Sequence, residues 1–181
     1  VKGDFHARIC ENARVKLPCV TRLGAIRTPH NLNKSLKTFT SEDGWYSLNL
    51  PPEWEEYDDE KESTHAFFNA KSWTGNFRIT TLHWDTLNDT NEDKASQLVA
   101  EDVEENQGAI LTKVNGFDCA HYKNETEDED GVFVIYYWVF GKDLDLFICS
   151  FTIAKKQEGT HENDVELKIV RDIIDGIHIN Y

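Results

Sequence analysis

The sequence predicts an α+β fold, an antiparallel sheet of about six to seven strands with two main helices packed on it. Apolar residues alternate at period two in several short runs bounded by Gly, Pro and Asn, the pattern of half-buried strands. Two further stretches repeat at helical spacing with one wide apolar stripe each, and such a stripe is buried by covering a sheet face. Short turn signals between successive runs make neighbouring strands antiparallel. Ten Phe, six Tyr and five Trp supply the core, and a domain of roughly 140 residues can bury one without staples.

Residues 1–38 carry eight Lys and Arg against Asp4 and Glu11, contain Pro18 and Pro29 and show no sustained periodicity, so they read as a flexible basic arm. The arm has no apolar segment of signal-peptide length. With no Met in the chain, it is also the segment whose native coding is in question. A single α+β domain is expected over 39–181. It opens with a strand over Trp45–Leu50, whose Tyr46, Leu48 and Leu50 form the core face until Pro51 and Pro52 stop it. Glu53–Tyr57 reads as a turn or one helical turn with Trp54 and Tyr57 on a shared face, and Asp58–Ser63 as an acidic connection. His65–Asn69 and Phe77–Trp84 pair as a hairpin whose chain reverses at Gly75 and Asn76. Arg78 alternates with Phe77 and Ile79, which places it on the opposite sheet face, where a salt bridge is expected.

The first helix starts at Asn91-Glu92-Asp93, with a capping side chain and acids at the positive end of the dipole, and ends at Gly108. Ala95, Leu98, Val99 and Val103 face the sheet. Ala109–Val114 and Phe117–Lys123 are joined by Asn115-Gly116, a strong two-residue hairpin signal. An acidic loop, Asn124–Gly131, leads to Val132–Phe140, apolar on both faces and therefore interior to the sheet. Leu144–Ile153 returns beside it. The last helix, Glu162–Asp175, carries Val165, Ile169, Ile173 and Ile177 with Leu167, Val170 and Ile174, pairs Asp164 with Lys168, and stops at Gly176.

Residues 39–181 hold 11 Lys and Arg against 31 Asp and Glu, a net charge of −20 within a whole-chain charge of −14. That field repels phosphate backbones and anionic lipid and attracts basic proteins and cations. No apolar run reaches the length of a membrane-spanning helix. A soluble, cytoplasmic protein without nucleic-acid binding or membrane insertion is expected. Cys10, Cys19, Cys119 and Cys149 form neither C-x-x-C nor a zinc spacing, and Cys149 alternates with Phe147 and Phe151 as a buried thiol.

The residues Gly44-Trp45, Pro51, Trp54 and Trp73-Thr74-Gly75-Asn76-Phe77-Arg78-Ile79, with Asp118-Cys119-Ala120 and Cys149-Ser150-Phe151-Thr152, resemble a bacterial domain-of-unknown-function family, number 3805, over roughly 39–178. The resemblance implies a fold of the Mog/PsbP type, which also includes DcrB-like chaperones. It implies no catalytic residues, since none are assigned in that family, and fold alone does not carry function.

Serine-nucleophile and phosphate-binding glycine motifs are absent, and His161-Glu162 lacks the second His of a zinc-protease string. His65, His83 and His121 all fall on predicted strands and read as satisfied surface or edge histidines in preference to a metal set. Glu127, Asp128 and Asp130 are a weak calcium candidate; no cofactor and no established metal site are expected. The function expected is a non-enzymatic interaction domain, immunity-like or effector-chaperone-like, that binds an unidentified basic or amphipathic protein. Trp54, Tyr57 and Trp73 are its anchors, with Asn76 and Arg78 beside them and Asp58, Asp59 and Glu60 as a charged rim. The alternative is a small hydrolase or a ligand- or metal-binding protein. An enclosed cleft with converging His and carboxylates would favour the alternative, and a flat or grooved aromatic face the interaction domain. Oligomeric state is left open.

Overall fold

The run Val132–Phe140 is apolar on both faces because its strand lies inside a sheet. In the computed structural model, which describes residues 35–57, 63–84 and 93–180, this strand is β8 (Gly131–Lys142), flanked by β7 (Phe117–Asp128) and β9 (Asp145–Ala154). The seven-stranded sheet is completed by β3 (Trp54–Tyr57), β4 (Thr64–Asn69), β5 (Gly75–His83) and β6 (Ile110–Val114), in the order β3-β4-β5-β9-β8-β7-β6. Every pairing is antiparallel. A second sheet has the order β1-β2-β10, from β1 (Lys37–Thr40), β2 (Tyr46–Leu50) and β10 (His178–Ile179). Helices α1 (Lys94–Glu105) and α2 (His161–Asp175) complete the expected α+β class.

One face of the large sheet is the core. Register aligns Phe67, Phe77, Phe151 and Tyr136 in one row across it, and His65, Ile79, Cys149 and Trp138 in the next. The small sheet and α2 close over this inner face: Tyr46, Leu48 and Leu50 join Leu167, Val170, Ile173 and Ile174 in the same buried cluster. Cys119 and Cys149 are buried free thiols, and burial pushes the Cys119 thiol up to about 12 and Cys149 well upward. On the outer face, α1 covers β7 and β8, with Ala95 and Val99 buried and Tyr122 donating to Asp102 at 3.3 Å.

Several elements differ from expectation for identifiable reasons. Trp54–Tyr57 is a strand, not a turn; its short polar-apolar mixture is that of a sheet edge, where one side needs no partner. Residues three apart on a strand face opposite ways, so Trp54 and Tyr57 do not share a face. The acidic segment after Asn124 continues β7 as far as Asp128, and the turn is only Glu129-Asp130. The first helix ends at Glu105 with Asn106 as its C-cap, and Gly108 takes a φ of +80° two residues on. On α2 the buried stripe is Asn163, Glu166, Leu167, Val170, Ile173 and Ile174, while Val165 is 48% exposed. Lys168 pairs with Asp172 at 2.7 Å rather than with Asp164. Strand β1 starts at Lys37, two residues inside the stretch read as the arm; residues 1–34 lie outside the described residues.

Candidate functional site

The loop between β4 and β5 is built by its own side chains and by α2. Asn69 Oδ1 accepts from the backbone N–H of Lys71 at 3.0 Å and Ser72 at 3.4 Å, which turns the chain locally. The Trp73 N–H donates to the Asn69 carbonyl at 2.9 Å, and Trp73 itself carries the positive φ of +39°. The reversal therefore falls before Gly75, which already belongs to β5. Gly75 is required by close approach: a Cβ there would lie 2.6 Å from Ile153 Cγ2 and from the Thr152 carbonyl oxygen, and 2.8 Å from the Phe151 ring. Glu166 of α2, 1% exposed, reaches into this loop. Its carboxylate accepts from Ser72 Oγ at 2.9 Å, from the Thr74 N–H at 2.7 Å and from the Thr74 hydroxyl. Asn163 Nδ2 donates to that hydroxyl at 3.2 Å.

The clamp sets Trp73 at the end of an aromatic row on the outer sheet face. Its ring centre lies 5.0 Å from that of Phe68, and Phe68 lies 6.0 Å from Tyr57. Trp73 Nε1 donates to Asn76 Oδ1 at 3.1 Å, and the Arg78 guanidinium sits 5.9 Å from the Tyr57 ring centre, within cation–π range. All three aromatics are half-buried, and Asn76 and Arg78 are buried. Register explains the gathering. Phe68 pairs with Asn76, and Ala66 pairs with both Tyr57 and Arg78, so these residues occupy adjacent rows of one face. Phe68, placed from sequence only within the strand His65–Asn69, is the residue that bridges Tyr57 to Trp73.

Of the expected anchors, Trp54 is elsewhere. It is 0% exposed on the inner face, its ring edge-on to Phe77 at 6.4 Å, and a partner has no access to it. Asp58, Asp59 and Glu60 lie outside the described residues. Strand alternation sends Glu127 and Asp128 to opposite faces of β7, and Asp128 Oδ1 accepts from the Asp130 N–H at 2.8 Å. Among the described residues no group of three His, Cys, Asp or Glu is placed to hold a metal ion. His65 and His121 share a row but are separated by β5, β9 and β8, about 19 Å at the usual strand spacing. His65 meets Glu56 at 3.0 Å, and His121 stacks on Trp138 at 4.7 Å while its Nδ1–H donates to the Tyr137 carbonyl at 2.8 Å.

His83 lies in an open cleft of about 520 Å³ lined by Trp45, His83, Asp145 and Asn180. Its Nδ1 meets Asp145 Oδ1 at 2.7 Å, and its ring stands edge-on to Trp45 at 5.8 Å. Such a pair orients an imidazole, but none of the four lining residues is a serine, threonine or cysteine for it to activate.

The architecture is thus that of an α+β domain with a clamped aromatic row on one sheet face. The chain belongs to a family described as a domain of unknown function (DUF3805), whose model matches residues 34–173. It is similar to a protein of Bacteroides thetaiotaomicron VPI-5482 solved at 1.50 Å, with 28% identity and a TM-score of 0.65 over 82% of this chain and 49% of that one. The chain therefore spans about half the length of that relative. Cyanobacterial PsbP from Synechocystis sp. PCC 6803 is a more distant likeness at 13% identity, TM-score 0.41, covering 87% of this chain and 100% of its own. So is the Saccharomyces cerevisiae Ran-binding protein Mog1p, at 12% identity, TM-score 0.45, covering 81% and 96%. No curated protein matches the sequence. Among the described residues no helix is long and apolar enough to cross a membrane.

Proposed function

We propose that this chain is a non-enzymatic interaction domain of the bacterial cytoplasm that binds a basic or amphipathic protein, in the manner of an immunity protein or an effector chaperone. The observation that carries the reading is the row Tyr57–Phe68–Trp73, half-buried on a sheet face and ending in a loop that Glu166 fixes from beneath. Aromatic side chains held in place before binding lose little entropy on association, which is how a few residues come to dominate an interface. The net charge of −20 over residues 39–181 supplies the attraction for a basic partner. The cleft at His83 favours the alternative, a ligand-binding protein or small hydrolase, less well, because it is open and its His and Asp engage each other.

The test uses the full chain, immobilised and exposed to a lysate of its own source organism at low and raised salt, beside a Trp73→Ala variant. The expected result is one stoichiometric protein, retained less at raised salt and lost with the variant. Equal retention by the variant refutes the aromatic row as the binding surface.

A further inference from the structure

Strand β6 is the outer strand of the seven-stranded sheet. It pairs with β7 on one side, and among the described residues no strand pairs with its other side. Its sequence, Ile110-Leu111-Thr112-Lys113-Val114, leaves Ile110 57% and Leu111 58% exposed. Exposed edges are ordinarily guarded by charge, Pro or a bulge. Here the one charge is Lys113, and Asp118 of the same hairpin already holds it at 2.7 Å.

The hairpin determines which backbone groups point outward. Asn115 and Gly116 have φ of +51° and +86°, a two-residue turn closed by Val114 and Phe117. In such a turn the closing pair exchange their N–H and C=O groups, and so does every second pair behind them. Thr112 and Ile110 therefore bond to β7, and Leu111 and Lys113 turn their N–H and C=O groups to the free side.

We propose that β6 is a self-association edge, at which a second copy of the chain adds its own β6 antiparallel about a two-fold axis through Thr112. In that register Leu111 of each copy forms the hydrogen-bonded pair with Lys113 of the other. Thr112 faces Thr112 and Ile110 faces Val114, cross-strand pairs of the favourable kind. The opposite edge of the sheet cannot do the same. Self-pairing of β3 would set Glu55 and Glu56 against the same carboxylates of the second copy, whereas β6 carries no acid. A two-fold pairing uses the same edge of both copies, so association at β6 closes as a dimer instead of running on into a fibre.

A five-residue strand spans about 17 Å, so this contact lies below the roughly 1,200 Å² of a standard stable interface and the dimer is weak and concentration-dependent. The two copies share a net charge of −14 each, so raised salt screens their repulsion and tightens the dimer. That salt dependence is opposite to the one expected for a basic partner, and the two readings succeed or fail separately.

Sedimentation velocity of the full chain, followed to about 1 mM, where weak association becomes visible, is expected to show a reversible monomer–dimer shift that grows with salt. Leu111→Lys puts a second ammonium against Lys113 and is expected to weaken the dimer about tenfold or more, although it lowers the net negative charge and so eases general repulsion. Leu111→Glu instead sets a carboxylate against that ammonium and is expected to keep the dimer, although it raises the net negative charge. Leu111 is exposed, so these changes leave the fold intact, and circular dichroism confirms it. Hydrogen exchange at the Leu111 and Lys113 amides slows as the dimer forms. A chain that stays monomeric at every concentration and salt, a dimer indifferent to Leu111→Lys, or unchanged exchange at those two amides would overturn the proposal.

Discussion

Removing the carboxylate of Glu166 is expected to loosen the loop that carries Trp73, with an effect graded by how much of the hydrogen bonding survives. Three donors converge on it: the Ser72 hydroxyl at 2.9 Å, the Thr74 N–H at 2.7 Å and the Thr74 hydroxyl. Ser72 is exposed and recovers a water. Thr74 is buried, so its N–H and its hydroxyl proton both lose their acceptor, Asn163 donating to the hydroxyl oxygen at 3.2 Å and not accepting from it. Glu166→Ala orphans that N–H and empties the space of the side chain, at a cost of about 3 kcal/mol; hydrogen bonds to charged groups are worth ~1.5–3 kcal/mol and a buried orphan donor costs ~1–3. Glu166→Gln keeps an oxygen for the N–H and avoids desolvating a charge, so its cost is about 1 kcal/mol. Urea unfolding followed by far-UV circular dichroism and tryptophan emission measures both values. A double-mutant cycle with Thr74→Val isolates the contact and is expected to give a coupling of about 1–2 kcal/mol. If both variants fall within about 0.5 kcal/mol of the wild type, the range of ordinary surface changes, the carboxylate is not what fixes the loop.

Gly75→Ala tests close approach rather than hydrogen bonding. A methyl group 2.6 Å from the Thr152 carbonyl oxygen and from Ile153 Cγ2 forces β5 off β9, at a cost of at least about 2 kcal/mol, and an unchanged urea midpoint would contradict it. His121 supplies a pH dependence. Burial lowers its pKa, against the opposing pull of its hydrogen bond to Tyr137. The folded state thus binds fewer protons than the unfolded state, where the imidazole titrates near about 6.5. Its contribution is complete above that pH and is lost as pH falls toward and through the lower native value. Stability of His121→Gln, measured by urea unfolding from neutral pH downward, is expected to fall less steeply than that of the wild type over this window, and parallel profiles would refute the assignment.

Period and turn chemistry made most of this fold legible. Asn115-Gly116 announced a hairpin whose positive φ values are those observed, and the alternation of Phe147, Cys149 and Phe151 placed all three in the core. The failures fall where tertiary partners override local pattern. Trp54–Tyr57 is too short for period two to show, and only pairing with β4 makes it a strand. The stripe expected from Val165 through Ile169, Ile173 and Ile177 fails only at its start: Val165 is exposed, Ile169 packs against the core, and Ile173 and Ile177 are buried. Asn163 and Glu166 take the sheet-facing positions because Thr74 gives them hydrogen-bond partners, a pairing over about 90 residues that no local window contains. The candidate site was half legible for the same reason. Tyr57, Trp73, Asn76 and Arg78 were singled out from sequence, but strand alternation across an unrecognised β3 decides that Tyr57 joins them while Trp54 faces the core.

The string Trp73–Ile79, the most specific part of the resemblance, divides into two kinds of residue. Thr74 answers to Glu166, Gly75 to the approach of β9, and Phe77 and Ile79 to the core, so folding alone accounts for four of its seven positions. Asn76 and Arg78 point to the other face, where an apolar pair would be cheaper to bury than an amide and a guanidinium. Asn76 is occupied by the Trp73 indole, and Arg78 lies against the Tyr57 ring. What these two do is fix the aromatics that flank them, so replacing either one would blur folding and binding together. Trp73 is the better probe. Its ring is half exposed and its backbone is held independently by Asn69 and by the clamped Thr74. Truncating that ring removes contact surface together with the donor to the buried Asn76 Oδ1, so loss of partner binding in Trp73→Ala, under conditions where circular dichroism shows the fold retained, assigns the aromatic row to recognition rather than to the fold.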